Sequence, residues 1–107
     1  MKTLLALLAL LSLAPAALAQ PSAVTVHIKN FKYNPSVITI HAGQRVTFIN
    51  DDDEAHTVSA DDHSFDSAGM DTKDTWQHTF SKPGKYPYFC ELHPYMKATV
   101  IVLPAKP

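Results

Sequence analysis

"SKPGKYPYFCELHPYMKATVIVL", residues 81–103, contains a turn, a strand, a loop and a second strand in that order. Pro83 presets one backbone angle and Gly84 permits a positive one, so residues 81–85 read as a turn. Residues 85–90 run on as a strand that ends at Cys90, and residues 97–103 read as the closing strand. The loop between them is short. It carries the only cysteine of the chain, a histidine three positions later and a methionine three beyond that.

Strand patterns continue upstream. "VTVHIKN" (24–30) places Val24, Val26 and Ile28 on one face. "SVITIHAG" (36–43) and "RVTFIN" (45–50) follow, with Gly43 in the turn between them, and "AHTVSA" (55–60) is a further candidate. "DTWQHTF" (74–80) alternates Trp76, His78 and Phe80 against Thr75, Gln77 and Thr79. The least regular segment, 61–71, reads as a loop with room for a helical turn. Beyond residue 20 no stretch keeps a helical period. The expectation is an all-β chain of about seven to eight short strands in an antiparallel β-sandwich. Tyr86 and Tyr88 read as core residues, either of which has a hydroxyl able to tie a sheet corner.

The first residues follow a different pattern. Lys2 supplies a positive start, residues 4–13 are almost purely apolar, Pro15 breaks the run, and small residues stand at Ala17 and Ala19. This is the layout of a secretory signal peptide, residues 1–19, with the mature domain at 20–107 and a periplasmic or secreted destination. The apolar run is shorter than the ~20 residues a spanning helix needs, so stable membrane insertion is not expected. Net charge is −1, and −2 once Lys2 is removed. That is no footprint for nucleic acid. A single domain of this size is marginal without a cross-link. One cysteine cannot form a disulfide within the chain, which favours a metal.

A free thiol outside the cell is exposed to oxidation unless it is buried or ligated. Cys90, His93 and Met96 are spaced so that one tight loop, stiffened by Pro94, aims all three side chains at one point. His56, at the start of a candidate strand, is the best fourth ligand, and Met70 is a spare thioether. Softness decides the metal: a thiolate and a thioether beside two imidazoles select copper in a blue-copper arrangement. Structural zinc usually gathers more cysteines. His27 and His41 read as exposed strand residues, His63 as a loop residue and His78 as a core or edge residue.

These stretches resemble a known family. "CELHPYM" is similar to the copper loop of amicyanin-like and plastocyanin-like cupredoxins. "GQRVTFINDDDEAHTV" resembles the segment bearing the first histidine ligand, "FSKPGKYPYFC" the strand entering the cysteine, and "FKYNPSVITIHAG" the N-terminal hairpin. The resemblance implies an eight-stranded Greek-key sandwich with one type 1 copper ion, held by His56, Cys90 and His93 in the equatorial plane and Met96 on the axis. It implies single-electron transfer between larger redox proteins, docking transiently near His93 among Leu92, Pro94 and Tyr95, by a monomer that is not an enzyme. Periplasmic copper carriage or copper homeostasis is the alternative. Asn50 matches a position that braces the ligand loops. Thr57 stands where many relatives have asparagine and is expected to tie the loops less fully, and Ala98 stands where glycine is frequent. The acidic run 51–54 is either a solvated loop or a surface that steers a basic partner.

Overall fold

The computed structural model describes residues 23–107; the expected signal peptide lies outside them. Eight strands are present among the described residues: β1 (Val24–Lys29), β2 (Lys32–Asn34), β3 (Val37–His41), β4 (Arg45–Asn50), β5 (Ser59–Ala60), β6 (Thr75–Thr79), β7 (Gly84–Phe89) and β8 (Lys97–Leu103). They form two four-stranded sheets, ordered β2-β1-β4-β6 and β3-β8-β7-β5. No helix among the described residues is long and apolar enough to cross a membrane.

Alternation decides which side chains face inward. Val26 and Ile28 of β1 are fully buried, as are Val46 and Phe48 of β4, while His27 and Lys29 point to solvent. Ile38 and Ile40 of β3 and Val100 and Val102 of β8 close the core from the second sheet. Each such side chain contributes about 1.5–3 kcal/mol by leaving water, and together they make one contiguous core. At the end of β4 the inward position falls on Asn50, which is as buried as Phe48. The core therefore turns polar at this end of the sandwich.

Two ladders run parallel, β1 with β4 and β3 with β8, where alternation alone suggested antiparallel pairing throughout. The chain leaves the first sheet after β2, crosses to pair β3 with β8, and returns as β4 beside β1. That crossover leaves each pair pointing the same way. Gly43 turns the chain between β3 and β4 at φ +97°, a value L side chains rarely adopt, and its N–H donates to the Phe80 carbonyl at 2.7 Å.

β2 has no counterpart in the strand pattern of the sequence. It spans three residues and follows a two-residue turn in which Asn30 and Phe31 both have positive φ, +54° and +57°. Such a turn matches the twist of an antiparallel hairpin. Asparagine tolerates it, but phenylalanine does so only at a cost. The expected strand over 55–60 is confined to Ser59–Ala60, and His56 forms an isolated bridge with Met70. Segment 61–71 contains no helix and sends Phe65 into the core. Tyr86 donates its hydroxyl to the Lys82 carbonyl at 2.7 Å, fastening the start of β7, while Tyr88 packs inside.

Candidate metal centre

The polar end of the core is built by two loops. One leaves β4 and carries His56; the other joins β7 to β8 and carries Cys90, His93 and Met96. Three backbone bonds wind the second loop tight: His93 N–H to the Cys90 carbonyl (3.2 Å), Met96 N–H to the His93 carbonyl (2.9 Å) and Cys90 N–H to the Met96 carbonyl (3.2 Å). Cys90 and Met96 are buried and His93 is half-buried. Cys90 Sγ lies 3.7 Å from His56 Nδ1 and 3.8 Å from His93 Nδ1. The three donor atoms all fall within 4.8 Å of one another.

These separations fit a metal ion. Metal–nitrogen and metal–thiolate bonds of the lengths known for zinc, meeting at about 120°, span about 3.8 Å between donor atoms. A soft thiolate with two imidazoles in that plane is a copper donor set. Met96, expected as the axial donor, is buried at the end of the same loop, bonded through its backbone to Cys90 and His93.

A second layer holds the donors. His56 is fully buried; its Nδ1 faces the thiol and its Nε2 lies 2.8 Å from Asp52 Oδ2. A carboxylate accepts only, so Nε2 bears the proton and the Nδ1 lone pair points inward. Asp52 is itself 6% exposed. Burial opposes its charge, but the backbone N–H groups of Phe31 and Asn30, with His56, outweigh that and hold its carboxyl below the usual range. Asn50 donates through Nδ2 to the carbonyls of Glu54 and Met70, both at 2.9 Å, and accepts from Asp52 N–H at 3.0 Å. Asn50 thus braces the loop that bears His56 and ties it to Met70, whereas the bonds between the two ligand loops come from Thr57.

Thr57 does more than the sequence suggested. Its N–H donates to Cys90 Sγ at 3.3 Å, and its Oγ1 accepts from Glu91 N–H at 2.8 Å while also bonding Ser59 Oγ at 2.9 Å. A hydroxyl thus makes the tie between loops that an asparagine amide was expected to make. From behind, the Tyr33 hydroxyl donates to the Thr57 carbonyl at 2.5 Å, and burial raises that phenol's pKa so that it stays a donor.

Residues 2–102 match the family described as Cupredoxin-like domain. The chain belongs to this family. It is 34% identical to amicyanin from Paracoccus versutus over 85 residues, an alignment covering 75% of this chain and 64% of that one. Amicyanin-alpha from Methylorubrum extorquens is 32% identical over 93 residues, covering 78% of this chain and 75% of the relative. Among solved structures, a methionine-to-alanine variant of amicyanin in its Cu(I) form superposes with a TM-score of 0.71 at 28% identity, covering 76% of this chain and 82% of that one. A copper-containing nitrite reductase from Thermus scotoductus SA-01 superposes with a TM-score of 0.73 at 31% identity, over 82% of this chain but only 23% of the reductase. The protein is thus an amicyanin-like cupredoxin whose donor cluster is consistent with one type 1 copper ion.

The remaining histidines of this cupredoxin lie elsewhere. His27 is exposed and bonds Asp51 Oδ2 at 2.6 Å, and half-buried His41 meets the Pro104 carbonyl at 2.9 Å. His63 is exposed in its loop, and His78 packs among Phe65, Trp76 and Phe80. Met70 is buried beside His56 through their paired backbone bonds. Two residues at the site were not singled out by the sequence. Asp52 was hidden in an acidic run, and Phe31, whose ring meets both His56 and His93 edge-on, sat in a turn 25 positions before His56.

Proposed function

We propose that this cupredoxin is a single-electron carrier in which His56, Cys90, His93 and Met96 bind one copper ion. The observation that carries the reading is the cluster of two imidazole nitrogens and one thiol sulfur at 3.7–3.8 Å, on a fold shared with amicyanin. Copper bound there supplies a one-electron couple and an intensely coloured thiolate bond. The protein's part is to fix the donors beforehand. Asp52 orients the His56 ring, Thr57 N–H points at the Cys90 sulfur, and the wound loop sets His93 and Met96, so the ligands move little when the charge changes.

His93 reaches the surface, among apolar neighbours. Leu92 is 56% exposed, Tyr95 70% and Phe31 36%. A patch of this kind suits brief docking, because electron-transfer encounters bury little area. The proposed partners are larger redox proteins acting as donor and acceptor on a monomer, in the periplasm or outside the cell, as the leader sequence suggests. The likeness to part of a nitrite reductase makes a copper-containing reductase the first acceptor to test. The rival is copper carriage, and one experiment separates the two. Reduced copper-loaded protein is mixed with an oxidised redox partner, with a Cu(I) chelator in a parallel cell. Electron transfer predicts return of the blue colour with copper retained; rapid loss of copper to the chelator, with no electron exchange, overturns the reading.

A further inference from the structure

We propose that Asp52 is a positioning residue that holds both imidazoles of the copper centre from behind, and that its charge sets the reduction potential; the potential half of this rests on the copper reading above. Three donors converge on one carboxylate. Oδ1 accepts from Asn30 N–H at 2.7 Å, and Oδ2 accepts from Phe31 N–H at 2.9 Å and from His56 Nε2 at 2.8 Å. The Asp52 backbone is fixed on both sides, its N–H bonded to Asn50 Oδ1 and its carbonyl to Thr72 Oγ1 at 2.7 Å. The side chain is therefore aimed, not free to adapt.

The consequence reaches the second imidazole through Phe31. The turn that bears it has two residues at positive φ, and Phe31 is the one for which that is costly. Its N–H bond to Asp52 helps offset the strain. Held there, the Phe31 ring stands edge-on to His56 at 5.2 Å and to His93 at 4.9 Å, with interplanar angles of 88° and 89°. One carboxylate thus fixes His56 by a direct bond and restrains His93 through the hairpin turn.

Its neighbours in the acidic run act differently. Asp51 is paired with His27 and Lys73 at the surface, and Asp53 and Glu54 are exposed, so water screens them. Asp52 alone among the four is buried. A buried negative charge bonded to a ligand raises the ligand's basicity and favours the more highly charged oxidation state.

An asparagine at this position separates charge from shape. Its single oxygen cannot accept from all three donors, because its NH₂ must face at least one N–H. For Asp52→Asn, the expected result is a loss of about 10–100-fold in Cu(II) affinity with little change for Cu(I). At 59 mV per tenfold that is a potential raised by about 60–120 mV. Asp52→Glu keeps the charge and is expected to stay within tenfold of the parent. Phe31→Leu keeps the backbone bonds, and is expected to broaden the His93 ring resonances of the reduced protein while shifting the potential less than Asp52→Asn does. Unchanged affinity and potential in Asp52→Asn would reduce Asp52 to a turn cap and overturn the proposal. If that variant does not fold, the unaltered copper-free protein decides by NMR. Slow solvent exchange of the His56 Nε2 proton and of the Asn30 and Phe31 amides is expected; exchange at the free rate overturns the proposal. Parent protein that binds copper without blue colour would sink the copper reading, while the copper-free exchange result still judges the Asp52 bonds.

Discussion

His56 and His78 both lie against aromatic rings in this small sandwich, yet only one is positioned to bind a metal. The His56 ring is fully buried and bonded, with Asp52 on one nitrogen and the Cys90 sulfur opposite the other. The His78 ring is half-buried, stacked on Trp76 at 5.4 Å and packed against Phe65 at 5.0 Å, with no hydrogen bond among the described residues. Desolvation lowers the pKa of His78, and no carboxylate restores its charge. Burial near apolar side chains is common to both. What differs is the acceptor behind His56, which fixes the tautomer and leaves a lone pair aimed at a thiol.

The strongest test of that contrast removes each imidazole in turn. His56→Ala is expected to abolish the blue copper band, whereas His78→Ala keeps it with unchanged intensity per copper. The measurement is the visible spectrum during copper titration, and a blue His56→Ala protein would break the comparison. A smaller effect is expected at the tie between loops. Thr57→Val keeps the shape but leaves Glu91 N–H without its acceptor, which costs about 1–3 kcal/mol in copper-free stability by urea denaturation. Equal midpoints would mean that water replaces the hydroxyl at no cost.

Proton uptake sharpens the same contrast. The folded pKa of His78 lies below the unfolded value of about 6.5, so the unfolded chain takes up this proton first. The contribution of a neutral His78 to stability is complete above about pH 6.5 and is lost as pH falls through the folded pKa. His78→Phe removes that loss. The copper-free variant is therefore expected to lose less stability than the parent between pH 7 and 5, measured by urea midpoints at both values; parallel losses would contradict the assignment. The smallest effect is expected from the exposed half of the acidic run. Replacing Asp53 and Glu54 by Asn and Gln should weaken the salt dependence of association with a basic partner, because exposed charges are screened beyond about 8 Å at physiological ionic strength. Identical salt curves would make these two residues a solvated loop.

The cluster of His56, Cys90 and His93 was legible in the sequence because soft donors are rare and their chemistry is specific. One cysteine, a histidine and a methionine on one tight loop leave few metals to choose from. The strands were legible where burial alternates, as in β1, β4 and β8. β2 was not, since three residues give no period and the turn before it places a phenylalanine at positive φ. The parallel ladders were not, because period-two alternation is the same for either direction. Asp52 was hidden for a different reason. Among Asp51, Asp53 and Glu54 it looks like surface charge, and its role comes from N–H groups 21 and 22 positions away that only the hairpin brings to it. Thr57 was undervalued because its hydroxyl was judged against an amide, not against the Glu91 N–H it meets.

The most direct test of the copper centre is a titration of Cu(II) into copper-free protein, followed by visible absorption and voltammetry, alongside the Cys90→Ser variant. The expected result is one copper per chain, an intense blue thiolate-to-copper band, a reversible one-electron couple, and a folded but colourless Cys90→Ser protein. Colourless binding by the parent, or a Cys90→Ser protein that still turns intensely blue, would contradict it.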